Sequence, residues 1–162
     1  MVALRPYQEA ALTAVYDHLA QRDDNPCVVI PTGGGKGVLV GRLCADVVER
    51  WNGRILVLTH VKELVDQNAT QAGRFLQPLL VGVNSAGLKR RDLDHPVIVA
   101  GIQSVYGKPY DLGRFDVILI DECHLLPPDG EGMYLTFIKA AKVINPQVRV
   151  IGLTATPFRL KD

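Results

Sequence analysis

The stretch Cys27-Val28-Val29-Ile30-Pro31-Thr32-Gly33-Gly34-Gly35-Lys36-Gly37 restricts this chain more than any other, because a β-branched run passes directly into three glycines, a lysine and an amphipathic segment. Successive glycines let backbone N–H groups converge on an anion without Cβ obstruction. A helix opening just after them adds unpaired N–H groups and the positive end of its dipole. Strand, glycine turn and helix in that order make a phosphate-binding loop, with the Lys36 ammonium directed at the β- and γ-phosphates of a nucleotide. The bland alternative is a flexible turn with an exposed lysine, and the flanking strand and helix weigh against it. Two positions depart from the general G-x-x-x-x-G-K-[ST] pattern: Ile30 holds the first glycine position and Gly37 the final hydroxyl position. Glycine has no side-chain oxygen for Mg²⁺. Nucleotide binding is therefore expected to survive while hydrolysis is weakened, and Gly37→Ser is expected to raise magnesium-dependent turnover.

The loop belongs to a repeating frame. Short apolar runs at Val28–Ile30, Ile55–Leu58, Leu79–Val81, Val97–Val99, Val117–Ile120 and Val148–Ile151 alternate with amphipathic stretches. That alternation predicts an α/β domain, a mostly parallel central sheet with helices on both faces. Runs apolar on consecutive residues predict central strands covered on both sides. Helices are predicted from about Tyr7 to Arg22, around Val40–Val47, around Val61–Ala72 and around Met133–Ala141. Asn84 to Asp94 reads as a surface loop or short helix. With 48% hydrophobic residues, 162 residues suffice for one cored domain, spanning 1–162. A net charge of +1 excludes a polybasic tail and confines any nucleic-acid site to a local patch. Cys27, Cys44 and Cys123 are widely spaced, show no zinc pattern and read as small apolar residues of a reducing compartment. No apolar run approaches the ~18 residues of a membrane span, and no long apolar signal segment opens the chain, so the cytoplasm and no membrane partner are expected.

A second informative segment is Phe115-Asp116-Val117-Ile118-Leu119-Ile120-Asp121-Glu122-Cys123-His124, an apolar strand ending in two carboxylates and an imidazole. Taken alone, the acidic pair could merely cap a turn. Beside a phosphate loop it has a chemical use. Asp121 can hold Mg²⁺ through water, and Glu122 can orient and deprotonate an attacking water.

Leu4-Arg5-Pro6-Tyr7-Gln8, the triglycine-lysine loop, Asp121-Glu122-Cys123-His124 and Gly152-Leu153-Thr154-Ala155-Thr156-Pro157 occur in the order of the first RecA-like domain of superfamily-2 helicases, DEAD/DEAH-like proteins, which the chain resembles. A finer resemblance is to RadD-like helicases and the type III restriction-enzyme helicase group. It runs through Leu56-Val57-Leu58-Thr59-His60-Val61-Lys62-Glu63-Leu64, Ala86-Gly87-Leu88-Lys89-Arg90 and Thr154-Ala155-Thr156-Pro157-Phe158-Arg159.

The resemblance implies an ATP-dependent helicase or translocase using ATP and Mg²⁺, of a kind that serves DNA repair. It implies that Gln8 reads adenine, with Arg5 and Tyr7 beside base or ribose, and that Thr32, Gly33, Gly34, Gly35, Lys36 and Gly37 hold the phosphates. It makes Lys36, Asp121 and Glu122 catalytic, with Asp121 on the metal. Thr154 and Thr156 become the coupling motif, with His124 a hydrogen-bond partner for Thr154. His60, Lys62, Gln67, Gln103 and Ser104 resemble residues that track a single strand, to which Lys89, Arg90 and Arg91 could add; single-stranded DNA is favoured over RNA. With aromatic residues at 6%, no extensive base-stacking platform is expected. A second RecA-like domain, in cis or in a partner chain, supplies arginines in such motors. The sequence stops just beyond the Thr-Ala-Thr motif, so the isolated chain is expected to be a weak ATPase without unwinding. A non-hydrolysing binding module and an interaction protein working with a separate partner stand as alternatives. A small-molecule kinase would leave the later motifs without a role.

Overall fold

The computed structural model describes residues 3–31, 33, 35–123 and 132–155. Thr32, Gly34, His124 and Thr156 lie outside the described residues. In chain order the elements are α1 (Pro6–Gln21), β1 (Cys27–Val29), α2 (Lys36–Ala45), a π-helical turn at Asp46–Arg50, β2 (Ile55–Thr59) and α3 (Lys62–Phe75). There follow a 3₁₀ turn at Pro78–Leu80, β3 (Val81–Ser85), β4 (Arg90–Arg91), β5 (Val97–Gly101), α4 (Ile102–Val105), α5 (Pro109–Leu112), β6 (Val117–Asp121), α6 (Met133–Ile144) and β7 (Arg149–Thr154). The seven strands lie in the order β1-β7-β6-β2-β5-β3-β4. All neighbours are parallel except β3 and β4.

The continuous apolar runs do what burial on both faces requires. β2, β5 and β6 are buried along their whole length. Successive residues point to opposite faces. Ile55, Val57, Val97, Val99, Val117 and Leu119 therefore pack with α1, α2 and α3 in one core. Leu56, Leu58, Ile98, Ala100, Ile118 and Ile120 pack with α4, α5 and α6 in the other. Two cores on one sheet give the expected layered architecture.

Three expectations are corrected, and one contact is new. Leu79 and Leu80 are not strand residues: Pro78 starts a 3₁₀ turn, Leu79 is 86% exposed, and the strand begins only at Val81. Asn84 to Asp94 is neither loop nor helix throughout. Asn84 and Ser85 are buried in β3, and the segment returns as a hairpin pairing Asn84 with Arg91 and Ser85 with Arg90. β1 is an edge strand and not a central one, with Cys27 exposed and Val29 46% exposed. Cys27 and Cys123, distant in sequence, are in contact.

At the amino ends of the strands, polar side chains bond to backbone. Arg54, just before β2, donates from Nε to His95 O at 3.0 Å, from Nη1 to Leu112 O and to Arg114 O, and from Nη2 to Leu93 O. Its guanidinium stacks over Phe115, 4.3 Å from the ring centre. Asn145 donates to Phe115 O at 2.8 Å and accepts from Gln147 N at 3.0 Å. Arg149 donates to Leu19 O and Arg22 O, both at 2.7 Å, tying the end of α1 to β7.

Candidate functional site

Open parallel sheets bind ligands beyond the carboxyl ends of their strands, and the predicted chemical residues gather there. Gly35 is the N-cap of α2 with φ +78°, and Gly33 has φ +84°, a region that L side chains rarely adopt. A Cβ on Gly35 would also lie 2.3 Å from Gln8 Nε2. The glycine at that position thus serves both backbone conformation and close approach. It sets Lys36 at the first helical position, from which its side chain reaches back over the strand ends.

Lys36 Nζ lies 2.8 Å from Asp121 Oδ1 and also bonds Glu122 Oε1. Asp121 is 1% exposed and ends β6, and its second oxygen accepts from Asn68 Nδ2 of α3 at 2.9 Å. The carboxylate is therefore hydrogen-bonded at Oδ2 and ion-paired with Lys36 at Oδ1. Burial opposes charge on Lys36, but hydrogen bonds and charge from Asp121 and Glu122 outweigh it and hold its ammonium above the ordinary lysine range. Glu122 has φ +59°, an uncommon conformation for a non-glycine residue, and such strain concentrates at functional sites.

Gln8 is buried; it accepts from Arg5 N at 2.8 Å and donates to Gly35 O at 3.4 Å, joining the start of α1 to the phosphate loop. Arg5 and Tyr7 are exposed beside it. Thr154 ends β7, buried, with its carbonyl accepting from Ile30 N at 2.9 Å. The bond expected between Thr154 and His124 lies outside the described residues. Gly37 carries a constraint that sequence reasoning missed. A Cβ there would lie 2.9 Å from Gln71 Cγ of α3, and one on Gly41 would lie 2.5 Å from Phe75 Cδ2. Both glycines permit α2 to approach α3 closely.

The donor set fits a magnesium nucleotide. Around the buried Asp121, two hydroxyls lack a partner among the described residues: Thr59 Oγ1 at the end of neighbouring β2, and Tyr134 Oη of α6. Burial, reinforced by the Asp121 charge, pushes the Tyr134 phenol well above its usual range, so it remains an O–H donor. Asp121 and Glu122 could hold the metal shell, and Lys36 with the loop amides could hold the phosphates.

A groove of about 420 Å³ opens farther along the same edge, lined by Arg90, Gln103 and Ser104 together with Arg91, Tyr106 and Lys108. His60 Nδ1 lies 3.4 Å from Gln103 Nε2, and Ser104 Oγ accepts from Ala86 N at 3.0 Å. Lys62 lies against the turn at Gly87. The structure thus brings His60, Lys62, Arg90, Gln103 and Ser104 to one region. Gln67 and Lys89 are exposed but do not line the groove, Lys89 sitting at φ +56° in the hairpin turn. Arg90 and Arg91 are paired with Asp92 and Asp111 at 2.5 and 3.0 Å. Lys108 and Tyr106 were not singled out by sequence, because nothing local distinguishes them from an ordinary helix-to-helix turn.

Residues 1–159 match the family described as type III restriction enzyme, res subunit. A relative from Saccharomyces cerevisiae, named "Putative ATP-dependent helicase IRC3", is 28% identical over 161 residues, covering 94% of this chain and 23% of its own length. The chain thus spans about a quarter of that curated relative. Among solved structures, the Hef helicase domain of Pyrococcus furiosus is 25% identical with TM-score 0.74, covering 97% of this chain and 34% of that one. The UvsW helicase of bacteriophage T4 is 20% identical with TM-score 0.74, covering 96% and 53%, a likeness of fold.

Proposed function

This chain belongs to the type III restriction enzyme res subunit family, and from that premise we propose that it binds ATP with Mg²⁺, hydrolyses it slowly by itself, and grips single-stranded nucleic acid as one half of a motor. Its fold is that of the N-terminal RecA-like domain of superfamily-2 helicases. The observation that carries the proposal is the Lys36 ammonium held between Asp121 and Glu122 at the strand ends, directly after Gly33 and Gly35, which both hold positive φ.

Lys36 is charged and already paired, so it exchanges carboxylate for phosphate rather than gaining a partner from water. Asp121 and Glu122 would hold Mg²⁺ bound with the nucleotide, and the ion would supply positive charge against the phosphates during hydrolysis. Asp121 is oriented for that by Asn68. Glu122, released from Lys36, accepts a proton from the attacking water. Gln8 links the base side of the site to the loop through Gly35. Arg90, Gln103, Ser104, His60 and Lys62 offer charged and polar groups to a phosphate backbone, which position a strand without reading it. Single-stranded DNA is the favoured strand, and the cytoplasm the favoured compartment. A second RecA-like domain, in cis or in a partner chain, would add arginines worth about 10³- to 10⁵-fold in related NTPases. Gly37 favours a second reading, a module that holds nucleotide without turning it over.

ATP turnover with and without single-stranded DNA, in the chain and in Glu122→Gln, separates the two. Slow, DNA-stimulated turnover that the substitution abolishes selects the motor. Binding without turnover in either protein selects the module, and absence of nucleotide binding overturns both.

A further inference from the structure

Cys27 opens β1 and Cys123 directly follows Glu122, yet their sulfurs lie 3.2 Å apart as free thiols. β7 runs between β1 and β6, and where the sulfurs meet its residue is Gly152, level with Cys27 on one side and Ile120 on the other. A Cβ on Gly152 would lie 2.9 Å from Cys123 Sγ and 3.6 Å from Cys27 Sγ. Adjacent strands are about 4.8 Å apart, so side chains from β1 and from the end of β6 reach one another only across a middle strand that is bare at that point. Gly152 supplies the bare point.

The pair is also accessible. Cys27 is exposed, and both cysteines line a groove of about 430 Å³ with Pro26, Ile120 and two exposed lysines of α6, Lys139 and Lys142. An anionic thiol oxidant is suited to that wall of positive charge. Cys44, by contrast, is fully buried.

We propose that Cys27 and Cys123 form an oxidation site, closing to a disulfide when an anionic low-molecular-weight disulfide such as glutathione disulfide enters this groove. The Cys27 thiolate attacks one sulfur of the oxidant, making a mixed disulfide and releasing one glutathione thiolate. The Cys123 thiolate then attacks the Cys27 sulfur and releases the second. The two protein thiols give up two protons and two electrons, and the oxidant's S–S bond takes them up as two glutathione thiols. The sulfurs need close only from 3.2 Å to about 2.05 Å. The bond ties β1 to the residue after Glu122 across a sequence separation of 96, which removes unfolded-chain freedom and raises the melting temperature. It also pins the acidic turn; that this slows ATP turnover rests on the role proposed above for Glu122, whereas the bond itself does not.

The test is incubation of the chain with glutathione disulfide, then alkylation under denaturing conditions, peptide mapping and thermal melting, without nucleotide. The expected result is a Cys27–Cys123 linked peptide, Cys44 as the alkylated cysteine, and a higher melting temperature that dithiothreitol reverses and that Cys27→Ser and Cys123→Ser each lack. Alkylation of both cysteines, or separate glutathione adducts accumulating on each, overturns the site. Because no nucleotide is present, either result is independent of whether the chain hydrolyses ATP.

Discussion

The amino and carboxyl ends of the sheet use the same kinds of polar residue in opposite ways. At the amino end, Arg54, Asn145 and Arg149 send their donors to backbone carbonyls, which belong to the frame and have nowhere to go. At the carboxyl end, Lys36 bonds side-chain carboxylates, which under the function proposed above it gives up for phosphate. Side chain to backbone locks, whereas side chain to side chain waits. Among the glycines, Gly33 and Gly35 hold positive φ beside Lys36, Gly35 also admitting Gln8, while Gly41 and Gly152 are bare so that a neighbour can approach.

The contrast breaks first at Arg54. Arg54→Ala strands several half-buried carbonyls, each worth roughly 1 kcal/mol or more, so the expected loss is about 3 kcal/mol in urea unfolding. ATP affinity below the unfolding transition should stay within about twofold. A large affinity loss in folded Arg54→Ala would show that the two ends are not separable. Gly37→Ser sharpens the other end. Its hydroxyl should raise magnesium-dependent turnover, but the new Cβ must displace Gln71, so Gly37→Ser with Gln71→Ala should exceed Gly37→Ser alone by severalfold in a steady-state ATPase assay. Equal rates would mean that α3 moves aside freely.

The smallest effect separates the two kinds of bond by pH. Burial would raise the Asp92 carboxyl, but the Val83 N–H and Arg90 outweigh it and hold it below the ordinary carboxylate value of 3.8. A depressed pKa gives stability that is present above the ordinary value and lost as pH falls through the folded one. The raised Lys36 works the other way: its contribution is present below the ordinary lysine value of 10.5 and is lost as pH rises through the folded one. Amide-exchange protection at Val83 should therefore fall in acid as Asp92 protonates, and the Lys36 ammonium should release its carboxylates only in strong alkali.

The parallel sheet was legible because burial on both faces writes itself as consecutive apolar residues, as in Ile118, Leu119 and Ile120. The meeting of the glycine loop with the acidic strand end was legible because both motifs directly follow apolar strand runs, which brings Lys36 to Asp121 and Glu122 at one edge of the sheet. Leu79 and Leu80 misled because apolar composition does not record that Pro78 starts a 3₁₀ turn. Asn84 and Ser85 hid in a polar stretch because β3 buries them beneath its own hairpin. The meeting of Cys27 with Cys123, and of Gly37 with Gln71, depends on which element lies beside which. Such adjacency across β7 or between α2 and α3 leaves no local pattern. Arg54 is an ordinary arginine in sequence, and its work is defined by carbonyls contributed from two distant segments, Leu93 to His95 and Leu112 to Arg114.

The most direct test is calorimetric titration of magnesium ATP into the folded chain and into Lys36→Ala, at a temperature where both are native. Lys36 in contact with phosphate predicts binding by the chain and an affinity at least about tenfold weaker in the variant. Equal affinity in the two proteins would contradict a nucleotide site built on Lys36, Asp121 and Glu122.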